Sequence, residues 1–216
     1  MPHAPLNLKA IALDYDGVIV ESNQIKQSAF LEVFSDQSPE IQKKVFEYER
    51  VHRPKSRFDK FAAVARTIFG QNEAQVSESV ISWSNEYSRL TLEQVSGCAE
   101  VPGARDFLDK YSKTCELYLI SATPQGDLEK ILQNRQEALY FKEIYGAPVI
   151  KSQILNQIMK KHPDLLYIGD SLSDHEAAVK AGCSFLGRTS LDQFAEEVQC
   201  FPDLIQMSQY MDRKFK

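Results

Sequence analysis

The chain is poor in the residues that usually staple or clamp a fold: among 216 residues there are four cysteines, four histidines and one tryptophan. Cys98, Cys115, Cys183 and Cys200 are scattered, with no C-x-x-C pair and no histidine at ligand spacing. That excludes the usual zinc-site pattern and leaves reduced, mostly buried thiols as the expectation. Positive charge is also lacking, since 25 basic against 30 acidic side chains give −5 with histidine neutral. A nucleic acid or an acidic membrane surface, both of which need net positive charge, is therefore an unsuitable partner. No apolar run approaches the ~18 residues of a membrane span, and Met1 to Lys9 lacks a charged segment leading into an apolar one. A cytoplasmic protein is expected. Internal repeats and low-complexity tracts are missing too.

What is present is an ordinary globular composition, 43% hydrophobic and 25% charged. At this length one large domain, or a core with a modest insertion, buries enough apolar surface to need neither metal nor disulfide for its fold. Ala10 to Val20 reads AIALDYDGVIV, an apolar, β-branched run interrupted by two acids and a glycine, and is expected to form a buried strand. Leu117 to Ile120, Tyr145 to Val149 and Leu165 to Ile168 have the same character, and Ser184 to Leu186 is a weaker fourth.

Helical patterns precede these segments: Phe107, Leu108 and Tyr111; Leu128, Ile131 and Leu132; Ile154, Leu155, Ile158 and Met159; and Ala177, Ala178 and Ala181 before Gly182. Strands alternating with helices predict an α/β fold, a Rossmann-like parallel sheet with helices on both faces. Between the first and second strands lies a long strand-poor tract. Apolar stripes at Ile25, Ala29 and Phe34, at Ile41 and Val45, at Phe58, Phe61, Ala62, Ala65 and Phe69 before Gly70, and at Val76, Val80, Trp83, Tyr87 and Leu90 make it helical. The division expected is an α/β core of residues 1–20 and 98–216 and an inserted α-helical cap of residues 21–97.

In open α/β sheets ligands bind beyond the carboxyl ends of the strands. The polar residues that end the expected strands are Asp14 and Asp16 before Gly17, then Ser121, then Lys151, then Asp170 followed by Asp174. Each alone has a plain structural reading. Asp-Tyr-Asp-Gly makes a solvated turn, Ser121 with Asp127 and Glu129 a capped helix start, Lys151 a surface lysine, and Asp170 with Asp174 another helix start. Together they would bring three carboxylates close enough to repel one another, and such a cluster needs a cation. Oxygen ligands with neither imidazole nor thiolate favour Mg²⁺, which couples carboxylates to phosphate. The chemistry this points to is phosphoryl transfer.

Four segments in order resemble the motifs of the haloacid dehalogenase-like hydrolases: Leu13-Asp14-Tyr15-Asp16-Gly17-Val18, Leu119-Ile120-Ser121, Gly146-Ala147-Pro148-Val149-Ile150-Lys151, and Ile168-Gly169-Asp170-Ser171-Leu172-Ser173-Asp174. The resemblance implies that Asp14 attacks phosphorus and forms an aspartyl-phosphate. It implies that Asp16 is the general acid and base, with its backbone carbonyl on the metal. Two residues apart on a strand, the two side chains would share one face. Ser121 would hydrogen-bond a phosphoryl oxygen and Lys151 would neutralise phosphate and Asp14. Asp170 would coordinate Mg²⁺, and Asp174 would serve as a further acidic position, through water or by orienting Lys151. Gly17 and Ala122 would face the substrate phosphate. Relatives often carry a polar residue where Ala122 stands, so only a backbone donor is left there. Members that cleave carbon–halogen or carbon–phosphorus bonds lack the second carboxylate, so Asp16 favours a phosphate ester.

Insertion directly after the first motif resembles the family's small helical caps, which close over soluble substrates. Arg50 to Phe61 gathers basic residues, and Ser56-Arg57 resembles the substrate-facing loop of phosphoglucomutase-like members. Arg57, whose guanidinium can grip a phosphate or carboxylate in a fork, and then Lys60 are the candidate substrate contacts. Solvated charges flanking an amphipathic helix are the other reading of the same run. Trp83 is read as packing, and His52 and His175 receive no catalytic role. The resulting expectation is a Mg²⁺-dependent phosphohydrolase of a small phosphorylated sugar or acid. A phosphomutase using the same residues and a non-catalytic regulatory protein on this scaffold stand as alternatives. Oligomeric state is not encoded in any of these features.

Overall fold

The computed structural model describes residues 8–52, 55–190 and 193–214. Two compact units emerge: one joins the chain up to Glu21 with the chain from Cys98 onward, and the other is Ser22–Gly97. Along the sequence the elements are β1 (Ala10–Leu13), α1 (Asn23–Glu32), α2 (Pro39–His52), α3 (Arg57–Thr67), α4 (Glu73–Gly97), α5 (Ala104–Tyr111), β2 (Glu116–Pro124), α6 (Gln125–Asn134), β3 (Glu143–Ala147), α7 (Lys151–Met159), β4 (Leu166–Gly169), α8 (Leu172–Ala181), β5 (Ser184–Arg188), β6 (Cys200–Phe201) and α9 (Leu204–Lys214). No helix among the described residues is long and apolar enough to cross a membrane.

The strands form one parallel sheet in the order β3-β2-β1-β4-β5-β6, with helices on both faces. The chain winds outward from β1 to β3, then returns to lay β4 on the other side of β1. That reversal makes the carboxyl ends of β1 and β4 the topological switch point, where open α/β sheets place their ligands. Alternation sorts the side chains. Ala10, Ala12, Tyr118, Ile120 and Tyr167 face α7 and α8, which contribute Leu155, Ile158 and Ala178. Ile11, Leu13, Leu117, Leu119, Leu166 and Ile168 are buried on the opposite side. Ala12 lies in register with both Tyr118 and Tyr167. A small residue between two large ones lets the rings fill the layer without strain.

β1 is shorter than the apolar run suggests. It ends at Leu13, because the carbonyl of Tyr15 accepts from the N–H groups of Val18, Ile19 and Val20 while the Gly17 N–H donates to Val20 at 2.8 Å. Gly17 adopts φ +72°, which a continuing strand does not permit. Val18, Ile19 and Val20 are buried in this turn rather than in the sheet. The far end also exceeds expectation: β6 is two residues long, too short for a periodicity signal, and α9 follows it. The buried triplet Leu204, Met207 and Met211 was the available sign of α9.

The helical unit has an aromatic core. Phe30 stacks on Phe61 at 4.8 Å, and Phe34 meets Trp83 edge-on at 4.8 Å. Phe69 and Tyr87 complete the cluster, so Trp83 packs as its spacing suggests. Phe58 departs from its stripe and is exposed. Ser56 caps α3, its hydroxyl accepting from the Asp59 N–H at 3.2 Å.

Candidate active site

Asp14 is the first residue past β1, and its N–H extends the ladder to the Ile168 carbonyl at 2.9 Å. Its carboxylate is held from both sides: Oδ1 accepts from the Tyr15 N–H at 2.7 Å and Oδ2 from Lys151 Nζ at 2.7 Å. Lys151 opens α7, and the same ammonium reaches Asp174 Oδ1 at 2.6 Å. Asp174 stands in the first turn of α8, in a reciprocal cap with Ser171. Its Oδ2 accepts from the Ser171 hydroxyl at 2.6 Å and N–H at 3.2 Å, and its Oδ1 from the Tyr167 hydroxyl at 2.5 Å. Asp170 follows β4 directly and accepts from Ser190.

Carboxylate oxygens of Asp14, Asp170 and Asp174 lie within 4.8 Å of one another, and all three residues are buried. One ammonium cannot neutralise three carboxylates. Burial first, then Asp174, Asp170 and Asp16, raise the Asp14 carboxyl well above its ordinary range, although Lys151 acts against them. Asp174 moves the other way: burial opposes its ionisation, but Lys151, Ser171 and Tyr167 outweigh it and lower its pKa. Lys151 is held above its usual value by the two carboxylates, against the effect of burial. The donor set suits a hard divalent cation, with oxygen atoms only and residual negative charge. Asp14 and Asp170 are the side chains that could hold one. Both oxygens of Asp174 already accept two bonds each, so this residue serves the cluster chiefly by fixing Lys151.

Asp16 is half-buried in the turn beyond β1, not on the strand, so the shared strand face expected for Asp14 and Asp16 does not occur. Its Oδ2 accepts from Thr123 Oγ1 at 3.1 Å and faces Ser121 Oγ at 3.4 Å. Ser121 is fully buried within β2 and does not cap α6, whose first turn follows Pro124. Ala122 lies between them with its side chain exposed. Gly17 spends its N–H on Val20, and its carbonyl accepts from Arg188 at 3.2 Å. Arg188 also pairs with Glu21 and donates to the Pro202 carbonyl, tying down the loop that carries the acids. On its other side the Tyr15 hydroxyl donates to the buried Glu137 at 2.8 Å, which pairs with Arg135 at 2.9 Å.

Arg57 and Lys60 belong to the helical unit, apart from these residues in sequence. Neither is a solvated charge. Arg57 donates to Ser88 at 2.6 Å with its guanidinium 4.4 Å from the centre of the Tyr87 ring. Lys60 pairs with Glu49 at 2.9 Å over the ring of Phe30, and its pKa is lowered, burial outweighing Glu49. His52 stacks on Tyr48, and His175 lies against Phe185.

Sequence reasoning assigned no role to Tyr167, Thr123, Arg188 or Gly169. For Gly169 the signal lay in the Gly-Asp-Ser-Leu-Ser-Asp string, where Ser171 and Asp174 have capping-box spacing. A side chain at 169 would place its Cβ 2.3 Å from the Cβ of Asp174. Gly169→Ala must therefore push away the residue that holds Lys151. We expect a destabilisation of about 1–3 kcal/mol, read from urea midpoints. An unchanged midpoint would show that Asp174 can move without cost.

The family profile "Haloacid dehalogenase-like hydrolase" matches residues 11–187. Comparison with curated proteins finds no match. Among solved structures, a predicted phosphoglycolate phosphatase from Haemophilus somnus is similar over 95% of this chain and 98% of its own, at 18% identity and TM-score 0.72. YfnB of Bacillus subtilis, bound to magnesium, is similar over 95% and 99% at 14% identity and TM-score 0.70. CbbY of Rhodobacter sphaeroides in complex with phosphate is similar over 93% and 96% at 16% identity and TM-score 0.68. A variant of CbbY has been solved with xylulose-(1,5)bisphosphate. At these identities the structures speak for the fold, while the profile spans all four motifs and most of the chain. The chain belongs to the haloacid dehalogenase-like hydrolases.

Proposed function

We propose that this protein is a Mg²⁺-dependent phosphohydrolase acting on a small phosphate monoester, a phosphorylated sugar or acid, through an aspartyl-phosphate on Asp14. The observation that carries the reading is the Asp14–Lys151–Asp174 chain beside Asp170. It presents a carboxylate fixed on both oxygens next to a buried ammonium and a second carboxylate able to hold a cation. Asp14 attacks phosphorus, and the ester P–O bond breaks as Asp16 gives its proton to the leaving oxygen. Asp16 then takes a proton from water, whose oxygen attacks phosphorus, and inorganic phosphate and free Asp14 result. Ser121 donates to a phosphoryl oxygen. Lys151 stays charged throughout and offsets the negative charge gathered at the site. Bound through Asp14 and Asp170, Mg²⁺ would neutralise phosphate charge and allow Asp14 to remain ionised.

The substrate class draws support from the relatives, one named as a predicted phosphoglycolate phosphatase and one solved with a phosphorylated sugar. The Ser22–Gly97 unit, inserted after the first motif, serves in this reading as a cap. A cytoplasmic location and a small soluble substrate belong to the same proposal.

Phosphate release from p-nitrophenyl phosphate and from a panel of phosphorylated sugars and acids, with Mg²⁺ and with chelator, tests it. Turnover that requires the metal is expected. Asp170→Asn should raise the Mg²⁺ concentration needed for half-maximal rate by roughly 10-fold or more. Metal-independent turnover, or none with any ester, would sink the reading.

A further inference from the structure

β2 continues past Ile120, and its register against β3 shifts between Ile120 and Pro124. In this stretch Ser121 and Thr123 are both buried, whereas Ala122 between them is exposed, as the two-residue period of a strand dictates. Thr123 acts on two neighbours. Its N–H donates to Ser121 Oγ at 3.1 Å, and its hydroxyl donates to Asp16 Oδ2 at 3.1 Å. Ser121 Oγ lies farther from that same oxygen, at 3.4 Å.

A serine hydroxyl has one proton to give. When Ser121 turns that proton toward a phosphoryl oxygen, its long bond to Asp16 is lost and the Thr123 bond is retained. Asp16 sits in a turn outside the sheet, so the direction of its carboxyl depends on side-chain contacts of this kind. A carboxyl oxygen that already accepts a hydroxyl proton is also the poorer place for the carboxyl's own proton.

We propose that Thr123 is a positioning residue for the acid–base step: its hydroxyl engages Oδ2 of Asp16, fixes the carboxyl plane and directs the transferable proton to the other oxygen. The proposal rests on the phosphohydrolase reading above. The proton passes from Asp16 to the ester oxygen as the bond from that oxygen to phosphorus breaks and the Asp14–phosphorus bond forms.

The test is leaving-group selectivity, because p-nitrophenolate departs without a proton and an alkyl alkoxide does not. We compare kcat/KM, which reports the reaction up to departure of the leaving group, for p-nitrophenyl phosphate and for a hexose phosphate. Thr123→Val keeps the branched shape and removes the hydroxyl. It should raise the aryl-to-alkyl ratio by on the order of 10-fold, and Thr123→Ser should bring the ratio back toward wild type. Thr123→Ala gives the same reading if the valine variant does not fold, and circular dichroism melts identify which variants are native. A ratio that stays at the wild-type value in a folded Val or Ala variant overturns the proposal, since a purely structural role lowers both substrates together. Wild type without turnover of either ester overturns the phosphohydrolase reading and this inference with it.

Discussion

Asp14→Asn is expected to reduce Mg²⁺-dependent phosphate release by on the order of 10⁴-fold or more, since no other carboxylate of the cluster can replace a missing nucleophile in place. Stability should respond in the opposite sense. The folded protein holds the Asp14 proton more tightly than the unfolded chain does, because burial and three neighbouring carboxylates raise its pKa. The contribution of such a group is present at low pH and is lost as pH rises through its folded value. Asparagine has no proton to lose. In chelator at pH 8 the variant should therefore melt no lower than wild type, while its gain in Tm on adding Mg²⁺ should be smaller, because one ligand is gone. Differential scanning fluorimetry across pH, with and without the metal, measures both. More than about a tenth of wild-type turnover in the variant would remove Asp14 from the nucleophile's role.

Lys151→Met should be the more damaging substitution, because it affects the fold as well as the reaction. The ammonium bridges Asp14 and Asp174, and all three side chains are largely or wholly removed from solvent. Taking away one partner of a buried ion pair leaves carboxylates that neither water nor protein neutralises, at a cost of about 3–5 kcal/mol. Lys151 is also what opposes the upward shift of Asp14 and lowers Asp174. Without it both carboxyls titrate at higher pH when folded, so the stability deficit should be smallest in acid and grow as pH rises. Urea midpoints across a pH series, in chelator, read this directly. Added Mg²⁺ should recover part of the midpoint while leaving phosphate release far below wild type. A midpoint equal to wild type at pH 8 would contradict the bridging geometry.

The two substitutions also separate the functions of one cluster. Asp14→Asn removes the proposed nucleophile but retains an oxygen that can accept from Lys151. Lys151→Met retains the proposed nucleophile and removes the charge that orders it. Loss of turnover with a stable fold in the first, and with a weakened fold in the second, is the joint expectation.

Much of this protein is legible in one dimension because its signals are local. Buried parallel strands such as Leu117–Ile120 and Leu165–Ile168 are short apolar runs whose meaning does not depend on distant residues. The helices between them carry stripes of fixed period, down to Ala177, Ala178 and Ala181 before the left-handed Gly182. Motif order singled out Asp14, Ser121, Lys151, Asp170 and Asp174. Tertiary structure alone decided the rest. β1 stops at Leu13 because three N–H groups converge on the Tyr15 carbonyl, a choice that the apolar run through Val20 does not reveal. Asp174 holds Lys151 instead of standing free because Tyr167 and Ser171 fill its remaining acceptor positions. Arg57 and Lys60 prove buried and partnered by residues 31 and 11 positions away. Residue type and spacing specify which backbone a segment prefers and which chemistry it carries. Who donates to whom across more than 100 residues, as Thr123 does to Asp16, is set only when the packed sheet brings the chain together.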